Sequence, residues 1–577
     1  MNPEKSAPFD RFASLCERLE MTSSSTEMRD ELAEFFAGLS PKDVRISSYF
    51  LLGRIGPKYA DVDLSIGEKT AIPVISRAFD LDEEEVERRL HKTGDLGDVA
   101  ESACTRGRSS LALEEVYSLL HRLKRFSGPG SSERRADLLA GLLGRASARE
   151  AKYIVRISIG SLRLGVGEMT IIGAFTAAFI EGMEDEGVVE DGYNKCTDIG
   201  AVGESMSRYG LNGVRRFSIS LGRPVKMMLA QRVGGVSEIL EKVEGEEIAA
   251  EVKYDGERVQ VHKRGEKVQL FSRRLTDITS QYPDVALAAR SAVRAKEAVL
   301  DGEILAFREG KILPFQELMQ RRRKYDVEEY REKVPAVLVL FDLIYLEGRS
   351  LLKRPYPERR RLLEEAVEES DVARLSERIV SEDFGNIRGF FEEALERGFE
   401  GVIVKSTSKG SVYQPGKRGW HWIKWKKEYE EGLRETFDVV VVGSYSGRGK
   451  RSAHFGALLC AVYNRRADVF ETFTRVGTGF SDQDFEAIEG VLEDHRVSAM
   501  PPRLRLKKEM VPDQFYTPAV VIEIIGAEIT RSPAHTAGEE EEGEGRGFAL
   551  RFPRFLKTRE DKGPEEATTV EEIRALR

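Results

Sequence analysis

Cysteine is scarce in this chain: Cys16, Cys104, Cys196 and Cys460 are scattered over 577 positions. Spacing so wide builds neither a disulfide framework nor the paired ligands of a zinc site, and it fits a reducing cytosol. Long apolar runs are missing as well. The most apolar stretch, Val337 to Leu346, is short and contains Asp342, and the opening Met1-Asn2-Pro3-Glu4-Lys5 has no apolar h-region. Neither a membrane span nor a signal peptide is expected, and a cytoplasmic location is. A surplus of positive charge is absent too, with 89 Lys and Arg against 98 Asp and Glu and a net charge of -9. Partners rich in phosphate usually show as a basic excess. Acidic runs such as Glu539 to Glu542 can dominate a total while basic faces persist elsewhere, so the net charge leaves such partners open.

What the chain has is core material, 41% hydrophobic and 32% charged residues, enough for several cores under a solvated surface. Its length predicts roughly three or four domains. Residues 1–225 read as helical, with apolar positions three and four apart in Phe9 to Leu19 and Met28 to Phe36. Ser40-Pro41 and the capping box Ser147-x-x-Glu150 supply start signals, and Ser127 to Ser132 reads as a loop. This is one helical domain, in one lobe or two. From about residue 226 the period changes to two. Ala250 to Tyr254 and Arg258 to His262 flank Asp255-Gly256 and read as a hairpin. Further strands follow at Val299 to Phe307, Val337 to Tyr345 and Gly401 to Lys405, with a helix at Ile387 to Arg397, so residues 226–430 are α+β. The charged segment Lys426 to Glu435 leads into short strands from Val439 to Phe555, and residues 431–577 suggest a small β-barrel.

Lys253-Tyr254-Asp255-Gly256-Glu257-Arg258 fits K-x-D-G-x-R, a pattern that chance supplies in roughly one chain in a hundred of this size. On its own it is equally a solvated surface hairpin. A lysine of ordinary pKa, about 10.4, is neutral in about one molecule per few thousand at pH 7, a deficit of roughly 4–5 kcal/mol that neighbouring cations or burial must reduce before it can act as a nucleophile. Strand alternation puts Glu251 on the face of Lys253, and Lys424 with Lys426 on one face of Trp422 to Lys426. Glu303 and Glu400 each sit beside an apolar strand. Magnesium, which binds through one or two carboxylates plus phosphate oxygens, would relieve their cost.

The ordered set Lys253-x-Asp255-Gly256-x-Arg258, Ser272-Arg273, Asp301-Gly302-Glu303, Phe341-Asp342, Glu400-Gly401-x-x-x-Lys405 and Trp422-Ile423-Lys424-Trp425-Lys426 resembles the motif series of covalent nucleotidyltransferases. Arg551-Phe552-Pro553-Arg554-Phe555 through Arg559-Glu560-Asp561-Lys562 is similar to the last motif of the replicative ATP-dependent DNA ligases of archaea and eukaryotes. That resemblance spans nearly the whole chain. It implies a multidomain protein with an all-α DNA-binding domain (1–225), an α+β adenylation domain (226–430) and an OB-fold barrel (431–577). The implied activity is ATP-dependent nick sealing through lysyl-AMP and DNA-adenylate in replication, repair and recombination.

Carried over by position, the resemblance makes Lys253 the nucleophile and Glu251 the reader of the adenine amino group. Phe341 would stack on the base and Arg258 would contact the ribose side. Arg273, Lys405, Arg418, Lys424 and Lys426 form the implied cationic clamp, and Glu303 and Glu400 the implied magnesium ligands. Arg551, Arg554, Arg559 and Lys562 would grip pyrophosphate, with Lys426 to Glu435, containing Gly432, as a hinge. The implied partner is nicked duplex DNA, met by a monomer. Arg54-x-Gly56-Pro57-Lys58 and Arg163-Leu164-Gly165 read as phosphate-contacting turns or as ordinary surface. Ala103 to Arg108 lacks the aromatic pair with which archaeal members dock on a sliding clamp. An RNA ligase or a GTP-dependent capping enzyme would share the lysine motif but not the long helical domain, and the missing zinc module argues against an NAD-dependent ligase. A non-catalytic DNA-binding descendant is a further alternative, opposed by the intact Lys253, Glu303, Glu400 and Lys426. The choice among ATP, ADP and GTP is left open by the residues themselves.

Overall fold

A computed structural model describes residues 6–575 apart from 23–24, 61, 63, 65, 94, 127, 129, 161, 163, 165, 181–185, 233–235, 309–310, 314–316, 319, 323–326, 427–435, 448–453, 465–466, 468, 498–499, 502, 540–544 and 560–561. The chain divides into two compact units, Met1–Glu431 and Gly432–Arg577. Among the described residues no helix is long and apolar enough to cross a membrane.

Helices from Phe9–Met21 to Ile199–Val214 fill the N-terminal region and bury one continuous apolar core between Ala7 and Val214. The expected caps are in place. Asp43 N donates to Ser40 Oγ (3.2 Å) ahead of Pro41–Leu51, and Ser147 and Glu150 close a reciprocal box on Ala148–Ser158, satisfying donors that a helix start leaves unpaired. One boundary differs: Ser131 and Ser132, expected in a loop, open the helix Ser131–Leu143, with Gly130 before them at a left-handed φ of +73°.

The α+β region follows in the same unit. Its strands are β1 (Leu229–Arg232), β2 (Ile248–Val252), β3 (Glu257–Arg264), β4 (Lys267–Ser272), β5 (Glu297–Arg308), β6 (Lys311–Ile312), β7 (Ala336–Leu346), β8 (Arg349–Ser350), β9 (Ala373–Leu375), β10 (Arg378–Ser381), β11 (Gly401–Ser406) and β12 (Arg418–Lys426). One sheet has the order β1-β12-β11-β2-β10; the other runs β4-β3-β5-β7-β8, with β6 beside β5 and β9 beside β7.

The hairpin expected across Asp255-Gly256 does not form. β2 pairs with β10 and β11, whereas β3 pairs with β4 and β5, so residues 253–256 carry the chain from one sheet to the other. A Cβ at residue 256 would lie 2.3 Å from Ile304 O, so Gly256 serves a close approach of two backbones rather than a two-residue turn. Alternation then sorts the faces. Ala250, Val252, Val402, Val404, Ile423 and Trp425 pack on the helix Phe384–Glu396, with Trp425 stacked on Phe391 at 4.0 Å. Val259, Val261, Leu300, Ile304 and Leu338 pack with the helix Pro283–Ala292.

The second unit is the expected strand-rich domain with curled sheets. Its central strand β13 (Thr436–Ser446) pairs on one side with β14 (Phe455–Asn464). On the other it pairs first with β17 (Val521–Ile525) and then with β16 (Gln514–Tyr516). β15 (Val469–Val476) extends the sheet beyond β14 and β18 (Arg554–Thr558) beyond β17. Apolar clusters cover both faces, one around Val439, Val441 and Phe473 and one around Val440, Val442 and Leu459.

Two buried aspartates fix the second sheet of the first unit. Asp301 on β5 lies opposite Asp342 on β7, where the register of the pair shifts, and both are closed to solvent. Arg258 Nη2 donates to Asp301 Oδ2 (2.8 Å), and Arg359 donates to Asp342 through Nε (2.8 Å) and Nη2 (2.9 Å). A buried charge that loses its partner costs about 3–5 kcal/mol, whereas replacing both partners by apolar groups of like volume is near neutral. Arg359→Met should therefore lower the melting temperature of this unit sharply, and Arg359→Met with Asp342→Leu should recover most of the loss. Calorimetry of the single and double variants checks this; equal loss in both would mean that Arg359 acts through its bonds to Arg354 O and Ser411 O or through packing, and not through its charge pair.

Candidate active site

Because β11 pairs antiparallel with both β2 and β12, register places Glu251 opposite Ile403, Lys405 opposite Trp422, Ile403 opposite Lys424 and Gly401 opposite Lys426. Side chains two apart share a face. One face of the first sheet thus carries Glu251, Lys405, Trp422, Lys424 and Lys426, and the shared face of Lys424 and Lys426 is the one alternation predicted. Lys253 stands one residue past the end of β2, where its N donates to Gly401 O (2.9 Å) and prolongs the pairing. Gly401 sits at φ +133°, and a Cβ there would meet Trp425 O at 2.2 Å, so only glycine lets β11 start beside Lys253.

The Lys253 ammonium is ion-paired with Glu400, and Lys426 Nζ lies 3.0 Å from the same Glu400 oxygen. Burial acts to raise the Glu400 carboxyl, but Lys253 and Lys426 outweigh it and hold it below its usual value. Across from this group stands Glu303, paired in register with Arg258. Burial pushes its carboxyl up to about 7, with Lys253 and Arg258 pulling the other way. Among the described residues no cluster of three His, Cys, Asp or Glu could hold a metal unaided. Two half-buried carboxylates that feel each other's charge are nonetheless the donor set that magnesium accepts when phosphate oxygens complete its shell.

Deeper in, Glu251 is buried, with a partner on each carboxylate oxygen. It accepts from Tyr356 Oη and Ser376 Oγ (2.8 Å) and pairs with Lys405 Nζ (2.8 Å). Burial lowers the Lys405 pKa, although Glu251 and Asp342 pull it up. The Lys405 ammonium lies 5.3 Å from the Phe341 ring centre and 4.7 Å from that of Trp422, and its Nζ donates to Phe341 O (3.3 Å). Phe341 meets Trp422 edge-on at 6.1 Å, and Arg258 lies over both rings, at 5.5 and 5.6 Å. The polar faces of the two sheets therefore meet around an aromatic pair flanked by cations.

Two expected members of the clamp lie apart from this group. Arg273 follows the end of β4 and Arg418 opens β12; both are exposed, and neither makes an ion pair with a described residue. In the helical region, Arg54 and Lys58 converge on Glu168 at 3.6 and 3.8 Å, and Lys226 joins them at 3.2 Å. Arg163 and Gly165 of the other suggested turn lie outside the described residues.

Family models agree with this layout along the chain. The one described as DNA ligase N terminus matches residues 8–176, ATP dependent DNA ligase domain matches 227–426, and ATP dependent DNA ligase C terminal region matches 451–562. DNA ligase 1 of Methanosarcina acetivorans is 50% identical over 577 residues, covering 99% of each chain. The chain belongs to the ATP-dependent DNA ligases. DNA ligase 2 of Thermofilum pendens is 42% identical, covering 98% of this chain and 96% of its own. A solved structure named Pmar-Lig_PreS3 shares the fold at a TM-score of 0.55 and 18% identity, covering 95% of this ligase and 99% of itself. ATP-dependent sealing of DNA nicks is the activity of the family.

Sequence reasoning does not reach several residues that build the ligase's pocket: Tyr356 and Ser376 stand outside every motif, and Trp422 stands in one without a role. Their part comes from contacts with distant segments, which no spacing announces. The two groups of cations should also separate by experiment. Lys405→Met leaves Glu251 buried beside a lost counter-charge and should destabilise the nucleotide-free protein by about 3–5 kcal/mol, whereas Arg273→Ala and Arg418→Ala should stay within about 0.5 kcal/mol of wild type. Thermal denaturation without ATP makes the comparison. A silent Lys405→Met would mean that Arg360, 3.6 Å from the same carboxylate, with Tyr356 and Ser376 suffices to hold Glu251.

Proposed function

We propose that the facing sheets hold ATP and that Lys253 takes its AMP, the first of three transfers by which this chain joins a nick. One observation carries the reading: Lys253 stands at the crossover between the sheets, paired with Glu400 beside Lys426 and within the electrostatic reach of Glu303. Phosphoryl transfer depends on positioning and charge neutralisation more than on elaborate covalent chemistry, and this face supplies both. Lys253 Nζ, having lost its proton, forms a P–N bond to the α-phosphate as the bond to the β-phosphate oxygen breaks and pyrophosphate leaves. Phe341 stacks on the base, Glu251 reads the adenine amino group and Arg258 contacts the ribose side. Lys405, Lys424 and Lys426, with Arg273 and Arg418 from the margin, clamp the phosphates. Glu303 and Glu400 would hold magnesium, which when bound supplies charge neutralisation at the phosphate oxygens. The 5′-phosphate of the nick then displaces Lys253 from the AMP phosphorus, and the 3′-hydroxyl seals the strand and releases AMP.

The helical domain, residues 1–225, grips nicked duplex DNA, residues 226–430 carry the adenylation chemistry, and residues 431–577 form the OB barrel. The chain acts as a monomer in the cytoplasm. No clamp-docking role is assigned to Ala103 to Arg108. Arg551, Arg554, Arg559 and Lys562 grip the departing pyrophosphate. In their own unit, Arg559 and Lys562 both bind Asp438, at 2.8 and 2.6 Å, and Arg551 pairs with Glu528 at 3.3 Å. Past Lys426, the hinge read in Lys426 to Glu435 lies outside the described residues.

Lys253→Arg and Lys253→Ala should both lose the covalent adduct while keeping the fold, because a guanidinium stays protonated and a methyl group cannot attack. Labelled ATP and a denaturing gel read the adduct directly; an adduct in either variant would place the nucleophile elsewhere. Removing two of the four cations of the last motif, with Arg554→Ala and Lys562→Ala together, should slow lysine adenylation by about 10²-fold. Joining of a pre-adenylated nick, which needs no pyrophosphate release, should fall far less. Equal loss in the two assays would remove the pyrophosphate role without touching Lys253.

A further inference from the structure

The segment that leads from the helical region to β1 lies along β3, and alternate side chains of that strand bind its backbone. Arg264 Nη2 donates to Leu221 O (3.3 Å), and Gly222 N donates to His262 Nδ1 (3.1 Å). Val225 N donates to Gln260 Oε1 (2.7 Å), and Gln260 Nε2 donates back to Val225 O (3.2 Å). Arg258 Nη1 donates to Met228 O (2.7 Å). Residues 258, 260, 262 and 264 share one strand face, so the segment is held along a continuous polar strip. Val225 and Met228 are buried with Tyr413 and Trp422.

Gln260, closed to solvent, has no hydrogen-bonding capacity to spare. Its oxygen also accepts from His262 Nε2 (3.0 Å), and its nitrogen also donates to Asp301 Oδ1 (3.0 Å). Two donors and two acceptor sites are all filled, and a flipped amide would set N–H against N–H at Val225. The same bonds fix His262 as a neutral imidazole that donates from Nε2 and accepts at Nδ1; burial pushes its pKa down to about 3. Asp301 Oδ2 accepts from Arg258 Nη2 (2.8 Å) and from Tyr413 Oη (2.6 Å), and Tyr413 Oη accepts from Met228 N (3.0 Å). A closed circuit thus runs from Val225 through Gln260, Asp301 and Tyr413 to Met228. Arg258 is held inside it by Met228 O and Asp301 together, beneath Phe341, with Nε enclosed and unpartnered.

The other side of the segment is gripped by the helices. Lys226 N donates to Asn194 O (2.8 Å), Lys226 Nζ donates to Glu168 (3.2 Å) and lies over Tyr193 (4.5 Å), and Thr197 Oγ1 donates to Pro224 O (2.7 Å). Pro224 and Lys226 are drawn to the helices, Val225 and Met228 to the sheet.

We propose that residues 221–228 are a strap through which the helical domain presets the nucleotide pocket, with Gln260 as the positioning residue that carries the strap's hold to Arg258 by way of Asp301. The inference rests on the reading of Lys253 as the lysine that accepts AMP. The full-length Gln260→Met and Tyr413→Phe variants test it, each cutting the circuit at a different point. In lysine adenylation the KM for ATP should rise roughly tenfold, the effect of losing one hydrogen bond to a charged group, with kcat within about threefold of wild type. Hydrogen exchange should quicken at the Gly222, Val225 and Met228 amides, and joining of a pre-adenylated nick should be retained. An unchanged KM in both variants despite a loosened strap overturns the proposal. So does a parallel fall in kcat and in pre-adenylated joining, which would make Gln260 a support of the fold in general. A wild-type protein that forms no lysine adduct would instead overturn the reading of Lys253.

Discussion

The active site depends on one backbone passage. The chain leaves the first sheet at Val252 and enters the second at Glu257, and it can do so only because Gly256 slips past Ile304 O without a Cβ. That passage sets Lys253 off the end of its strand, beside Gly401 and between two polar faces. Had the same residues closed a hairpin, Lys253 and Arg258 would have stood on neighbouring strands of one sheet, and Glu400, Lys426 and Phe341 would have had no reason to gather near them. The rest of the pocket follows from register once the two sheets face each other.

The net charge of -9 reads differently with the fold in view. Cations gather wherever phosphate chemistry is proposed, and each gathering has a carboxylate of its own: Glu400 for Lys253 and Lys426, Glu251 for Lys405, Glu168 for Arg54, Lys58 and Lys226, and Asp438 for Arg559 and Lys562. Several of these groups are half-buried or deeper, where an uncompensated charge is costly. The acidic residues therefore neutralise the cations within the fold, and a basic surplus in the composition is not required for a chain that binds polyanions.

The sequence was a good guide wherever a local rule settled the structure. Alternation located β5, β7, β11 and β12 and the shared face of Lys424 and Lys426, and cap chemistry located the starts at Ser40 and Ser147. It misled at Asp255-Gly256, because small-residue pairs serve tight turns and close backbone passages alike, and only partners far along the chain decide between them. The same limit applied to the site. Motif residues such as Lys253 and Glu303 could be named in advance, whereas Arg359, Tyr356 and Gln260 matter through what they touch across the fold. Arg273 and Arg418 carry the right charge, but their strand ends leave them exposed, apart from the buried cluster.

All three tryptophans of the chain, Trp420, Trp422 and Trp425, lie on β12. Trp422 stands on the pocket face with Phe341 and Lys405, whereas Trp425 is stacked in the core behind it. Indole fluorescence from this protein is therefore a local signal: light emitted on selective excitation originates from the single strand that ends at Lys426. The helical region and the C-terminal unit are dark at that wavelength, and the native chain carries its own optical probe of the adenylation pocket without any label.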